Sequence, residues 1–316
     1  MTDLTIIEPG RALAAPALHI SPADAVRLWL AGYRSANTRR AYAIEIGAFA
    51  RFVGRDVEEA VGYLLGLSDH QAHTLVDAYR ARKLQGGCSG ATCNRSMATL
   101  NSFVRSARRH GLTELRLEAQ SVKAERYRNT RGPGTGGVQK MLAAARRHYN
   151  PRKVSRDVAM LRLLFGLGLR RAELVACDLA DFDAGAATLS IVGKGESSHR
   201  SLSVPPAAVA AVLAWIEHRG VHPGALFTPL DRPRQRLTGN GAYHLIRDLG
   251  RQVGIQTRPH GIRHAAITAV LDATNGDMRK AQAFGRHASA STTVAYDDNR
   301  QDLSGSAARI LDGLVE

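Results

Sequence analysis

Six side chains in the second half of this 316-residue sequence have the chemistry to break a phosphodiester bond: Arg170, Lys194, His260, Arg263, His287 and Tyr296. A guanidinium group presents a planar fork that matches two phosphate oxygens, which an ammonium cannot copy. An ammonium can surrender its proton, whereas a guanidinium effectively cannot, so Lys194 suits the donor to a leaving alkoxide. Imidazoles carry or donate protons near neutral pH, and a phenol becomes a nucleophile once its proton is taken. This set needs no metal. The sequence also offers no Walker-type loop or carboxylate cluster, so neither a metal nor any other cofactor is expected.

Each residue has a plain alternative when read alone. Arg170 lies in Gly168-Leu169-Arg170-Arg171-Ala172-Glu173-Leu174, where glycines release one helix and the next one opens. A helix N-terminus beside an Arg favours a phosphate, although a surface pair with Glu173 is the ordinary reading. Lys194 occupies the glycine-flanked turn of a hairpin whose strands, 187–192 and 199–204, alternate at period two. A turn lysine is ordinarily just solvated. His260 and Arg263 stand one helical turn apart after Pro259. A second His-x-x-Arg pair, His244 with Arg247, is framed by Leu245 and Leu249 and reads as a groove-facing or surface pair. His287 follows Gly285-Arg286 at a helix end, and Tyr296 closes Ser291-Thr292-Thr293-Val294-Ala295-Tyr296. A structural histidine and a core tyrosine are the usual fates of such residues.

The elements that must position these groups fall into two lobes. Residues 1–20 read as a loose arm, 21–117 as a helical domain, 118–137 as a basic linker rich in Gly and Pro, and 138–316 as a second domain. In the first, Tyr42, Ile46, Phe49, Ala50 and Val53 form one helical stripe, and Met97, Leu100, Phe103, Val104 and Ala107 form another. Segments 56–66 and 69–84 supply two more helices. Off those stripes lie Arg39, Arg40, Arg95, Arg105, Arg108 and Arg109, candidate DNA-backbone contacts. The second domain reads as helices at about 206–219, 239–253, 262–273 and 276–285, a short one ending near Tyr296, and a final amphipathic segment. The fold class expected is therefore mainly α with a small antiparallel β-sheet.

Charge points to the partner. There are 43 Lys and Arg against 28 Asp and Glu, a formal net charge of +15, and the excess is present in both halves. A polyanion facing both lobes would explain that distribution, where a solubility charge is the bland alternative. Three cysteines at no metal-ligand spacing read as reduced thiols, and the N-terminus does not read as a signal peptide. With no long apolar run, no membrane partner is expected, and the expected location is the cytoplasm, on the bacterial nucleoid.

The motifs together resemble those of the tyrosine recombinases, also called the phage-integrase or Xer-type family. Gly-Leu-Arg-x-x-Glu-Leu around Arg170 is similar to the family's first arginine box, and Val192-Gly193-Lys194-Gly195 to its hairpin lysine. His260-x-x-Arg263-His264 resembles the central box, and Gly285-Arg286-His287 the Gly-His box, with Arg286 interposed between the usual neighbours. Ser291-Thr292-Thr293 with Tyr296 resembles the nucleophile segment. The resemblance runs from about 138 to 300, and more weakly into the first lobe through Asn37-Thr38 to Tyr42 and Thr92-x-Asn94-Arg95. It implies a helical core-binding domain followed by an α+β catalytic domain. It further implies site-specific recombination of double-stranded DNA through a 3′-phosphotyrosyl intermediate, by four protomers on two DNA sites. Two alternatives remain at this point: a type IB topoisomerase-like enzyme that nicks and reseals, and a non-catalytic DNA-binding protein of the same fold.

Overall fold

The computed structural model describes residues 20–123, 132–193, 199–287 and 289–294, together with 305, 308 and 311–314. The chain divides into two compact units, Met1–Tyr127 and Arg128–Glu316.

The first unit holds five described helices: α1 (Pro22–Ala31), α2 (Ala36–Val53), α3 (Val57–Leu65), α4 (Asp69–Gln85) and α5 (Gly90–Arg109). Each starts where a short oxygen side chain can cap it. Ser21, Ser35, Asp56, Ser68 and Ser89 accept the backbone N–H three residues on, at about 1 kcal/mol apiece. Both expected apolar stripes face the core, where Ile46, Phe49, Met97, Leu100, Phe103 and Val104 are buried with Trp29. The extra helix α1 was not among the four expected; its Ala25, Val26 and Trp29 complete this core. Beyond α5 the chain runs extended and stays with this unit. Asn101 and Asn94 each exchange a pair of hydrogen bonds with it, at Ala119 and at Val122, while Leu115 and Leu117 are buried.

The second unit is built on α7 (Pro151–Gly166), whose residues from Ser155 to Met160 are buried without a break. Around it lie α6 (Gly134–Arg146), α8 (Arg171–Ala176), α9 (Pro206–Arg219), α10 (Gly239–Gln252), α11 (Pro259–Ala273), α12 (Met278–Gly285) and α13 (Ala290–Val294). Helix α6 starts at Gly134, within the stretch read as linker, and α11 starts at Pro259, so His260 falls in its first turn. The sheet has three antiparallel strands in the order β1 (Phe182–Asp183), β2 (Thr188–Val192), β3 (His199–Ser203). Leu189 pairs with Leu202 and Val192 with His199, which is the expected hairpin. Strand β1 has two residues, too few for any alternation to be read. The architecture is thus mainly helical with one small antiparallel sheet. Cys93 and Cys177 are buried and Cys88 half-buried, all unpaired; burial pushes the Cys177 thiol up to about 12. Among the described residues no helix is long and apolar enough to cross a membrane.

Candidate active site

Three chain turns of the second unit meet around one carboxylate. After α7 the chain passes through Gly168, held at φ +54, where a Cβ would stand 2.8 Å from the Phe284 ring. Only glycine meets both conditions, so the turn can press against the end of α12. Arg170 then leads into α8. Its backbone N–H donates to Glu173 Oε2 at 2.8 Å and its Nη1 to Glu173 Oε1 at 2.6 Å. The Arg170–Glu173 pair of the ordinary reading therefore exists, but Glu173 is buried and is no surface partner. The remaining leg of the fork, Nη2, donates to the Arg286 carbonyl at 3.1 Å.

Helix α11 brings His260 to the surface of its first turn and Arg263 one turn further in, 2% exposed. Arg263 donates to the carbonyls of Gly168 and Gly285, tying the α7–α8 turn to the end of α12. At that end, Gly285 makes room for an imidazole: a Cβ there would lie 2.8 Å from His287 Cε1. The His287 Nδ1 sits 2.8 Å from Thr293 Oγ1 of α13. Burial, and then the guanidiniums of Arg263, Arg170 and Arg286, push the His287 pKa down to about 4. In the DNA-free protein this imidazole is neutral at pH 7, so it offers a neutral N–H donor.

Arg286, the residue interposed between Gly285 and His287, caps α12 in the left-handed conformation, φ 53 and ψ 50. Its guanidinium turns inward, donating to Glu173 Oε2 at 2.8 Å and to the carbonyls of Gly168 at 3.0 Å and Leu167 at 2.8 Å. Glu173 thus carries two arginines. Burial alone would raise its pKa, but the Arg170 N–H and both guanidiniums outweigh that and hold it below the usual range.

Arg170, His260, Arg263 and His287 line one cavity of about 530 Å³, together with Arg171, Arg258, Tyr243 and Thr292. No acidic residue is among those described there. A neighbouring hollow of about 450 Å³ shares Arg170 and His287 and adds Glu173, Gly193, Arg200, Arg279 and Arg286. Four of the six residues singled out from the sequence are therefore brought together. The other two, Lys194 and Tyr296, lie outside the described residues; Val192 ends β2 just before Lys194, and Val294 ends α13 just before Tyr296. Among the described residues no group of three or more His, Cys, Asp or Glu could hold a metal ion.

Comparison with known proteins decides the family. The model of the Phage integrase family matches residues 137–302, a span that contains all six positions. The chain is 36% identical over 293 residues to "Tyrosine recombinase slr0733" of Synechocystis sp., covering 89% of this chain and 92% of that one. The chain belongs to the tyrosine recombinases. It is also 37% identical over 322 residues to "Tyrosine recombinase Synpcc7942_B2651" of Synechococcus elongatus, covering 96% and 97%. Its fold matches a crystal structure of a lambda integrase dimer bound to a core site, with TM-score 0.66, 15% identity, and 89% and 96% of the two chains covered. The protein is a site-specific recombinase of the tyrosine type.

Three residues of the recombinase's site escaped the sequence reading. Glu173 was noted as a bland partner and as one position of the arginine box, and its burial is invisible in a short polar motif. Arg286 was noted as an interruption, although the left-handed cap that most often takes glycine accommodates it. Tyr243 lines the cavity from α10, stacked edge-on against His244, its neighbour in the second His-x-x-Arg pair. Within that pair Arg247 turns instead to Asp248 at 3.2 Å. In the first unit Arg40, Arg105, Arg108 and Arg109 are exposed. Arg39 donates to the carbonyls of Tyr33 and Arg34, and Arg95 pairs with Glu45 at 2.8 Å while staying half exposed.

Proposed function

We propose that this recombinase cuts and rejoins double-stranded DNA through a covalent 3′-phosphotyrosyl bond at Tyr296. The observation that carries the reading is the cavity shared by Arg170, His260, Arg263 and His287. In the cleavage step the Tyr296 oxygen forms a bond to phosphorus while the bond from phosphorus to O5′ breaks. His260 takes the phenolic proton, and Lys194 supplies a proton to the departing O5′. Arg170, Arg263 and neutral His287 donate to the non-bridging oxygens as negative charge grows on them. A preorganised donor of this kind contributes about 2.7–4 kcal/mol, so three of them and two proton transfers account for the rate without a metal. The phosphotyrosyl bond conserves the energy of the diester, so a 5′-hydroxyl from a second duplex reverses the step and exchanges strands.

The first unit serves as the core-binding domain, with Arg39, Arg40, Arg95, Arg105, Arg108 and Arg109 against the backbone, and the second as the catalytic domain. Four protomers act on two DNA sites. The relatives' names and the DNA-bound lambda integrase dimer favour this over a nicking-resealing enzyme.

The test is a nicked DNA site whose short 5′-hydroxyl fragment diffuses away after cleavage. The wild type is expected to accumulate a protein–DNA adduct that survives denaturant and is unaffected by chelator, and Tyr296→Phe to form none. An adduct that persists in Tyr296→Phe, or that vanishes with chelator, would overturn the mechanism.

A further inference from the structure

We infer that Arg286 is a positioning residue for strand cleavage: it sets the Arg170 guanidinium through the shared Glu173 carboxylate and through its own backbone carbonyl. The inference rests on the cleavage reading above, and it concerns a residue that interrupts the family's usual motif.

Both legs of the Arg170 fork end on groups that Arg286 holds. Nη1 meets Glu173 Oε1 at 2.6 Å, and the other oxygen of that carboxylate takes Arg286 Nη2 at 2.8 Å. Nη2 of Arg170 meets the Arg286 carbonyl at 3.1 Å, which exists in that place because Arg286 caps α12 with positive φ. Glycine would adopt this backbone conformation more easily than any residue with a Cβ. Arginine is therefore disfavoured there on backbone grounds, and its compensation comes from its side chain. That side chain donates to Glu173 and to the carbonyls of Leu167, Phe284 and Gly168. The Gly168 carbonyl is also an acceptor for Arg263.

Arg286 does not line the cavity that collects Arg170, His260, Arg263 and His287, but lies behind it, facing the neighbouring hollow. It therefore acts through Arg170, without contact to the reacting phosphate. A carboxylate shared between two guanidinium forks has one geometry that satisfies both, which removes the freedom Arg170 would have on Glu173 alone.

The experiment measures single-turnover cleavage of the nicked site at saturating DNA for the wild type, Arg286→Gly, Arg170→Ala and the double variant. Arg286→Gly is expected to cleave about 10–100-fold slower, because small misplacements of a positioned group cost that much. Its DNA affinity is expected to stay within about twofold, while its melting temperature falls because a buried pair is broken. In the Arg170→Ala background the same change is expected to slow cleavage less than about threefold, the non-additivity of residues that act as a unit. A wild-type rate for Arg286→Gly, or an equal slowing in both backgrounds, would overturn the inference. Should Arg286→Gly show no cooperative melt, Arg286→Lys decides. It keeps the charge but, with one nitrogen in place of two, cannot hold Glu173 and the Gly168 carbonyl while also holding the Leu167 and Phe284 carbonyls, so a folded Lys variant at the full wild-type rate overturns the inference and a slowed one supports it. Absence of any adduct from the wild type would instead strike the cleavage reading.

Discussion

Glu45 in the first unit of the recombinase and Glu173 in the second are each buried between two cations, and the two are used differently. In the first, Glu45 takes Lys83 Nζ at 3.1 Å, Arg95 Nε at 2.8 Å and the Ser96 hydroxyl. Lys83 also reaches Ser96 Oγ at 2.6 Å and the Tyr79 hydroxyl at 3.4 Å, so the cluster pins α2, α4 and α5 to one another. In the second, Glu173 takes Arg170 and Arg286, but Arg263 and two imidazoles gather beside it around a cavity with no described acid. A carboxylate that balances its cations inside a helix bundle is scaffold. One that is outnumbered next to an open cavity holds cations ready for an anion from outside.

Substitutions can break that contrast. The largest effect is expected for Arg263→Ala, which removes a phosphate donor and the ties to Gly168 and Gly285: cleavage should fall by about 10³-fold or more. A smaller loss would mean that this guanidinium chiefly braces the turns. Glu173→Gln should come next. It leaves both arginines in place but slackens them, so single-turnover cleavage is expected to slow about 10–100-fold. Glu45→Gln is its control: breaking a buried pair should cost about 3 kcal/mol of stability in thermal or urea unfolding, with the rate at saturating DNA unchanged. If Glu45→Gln slowed cleavage and Glu173→Gln did not, the division between scaffold and site would be wrong.

Acid should sharpen the contrast further. The folded-state pKa of His287, about 4, lies below its ordinary 6.5. Between those values the unfolded chain binds the extra proton, so this contribution to stability is complete above about pH 6.5 and is lost as pH falls toward 4. Unfolding curves of His287→Gln should show a shallower decline over that window than the wild type; an identical decline would remove His287 from the balance. The smallest effects belong to the exposed arginines of the first unit. Arg108→Ala should change stability by no more than about 0.5 kcal/mol, while lowering the salt slope of DNA binding by about one.

What could be read from the sequence follows the range of the forces involved. The apolar stripes of helices α2 and α5 are local features, and both face the core as their periodicity implied. The hairpin was legible through its alternation. Helix α1 was not, because its ten residues bury only Ala25, Val26 and Trp29, too few to mark an apolar stripe. In the site, the grouping of Arg170, His260, Arg263 and His287 was legible from residue type and order. The contacts that orient them were not. Arg286 reaches Leu167 and Gly168 across more than a hundred positions of sequence, and no periodicity encodes such a contact. Tyr243 enters the cavity from a helix whose apolar face says nothing about its rim.

On the proposed mechanism, the guanidiniums of the second unit balance charge on the scissile phosphate. Cleavage of a nicked site carrying a neutral methylphosphonate at that position, compared between the wild type and Arg170→Ala, tests it most directly. On the ordinary diester the variant should be slower by about 10²–10³-fold, and on the methylphosphonate by about tenfold or less, since less charge remains to be balanced. An undiminished defect on the neutral substrate would contradict the claim.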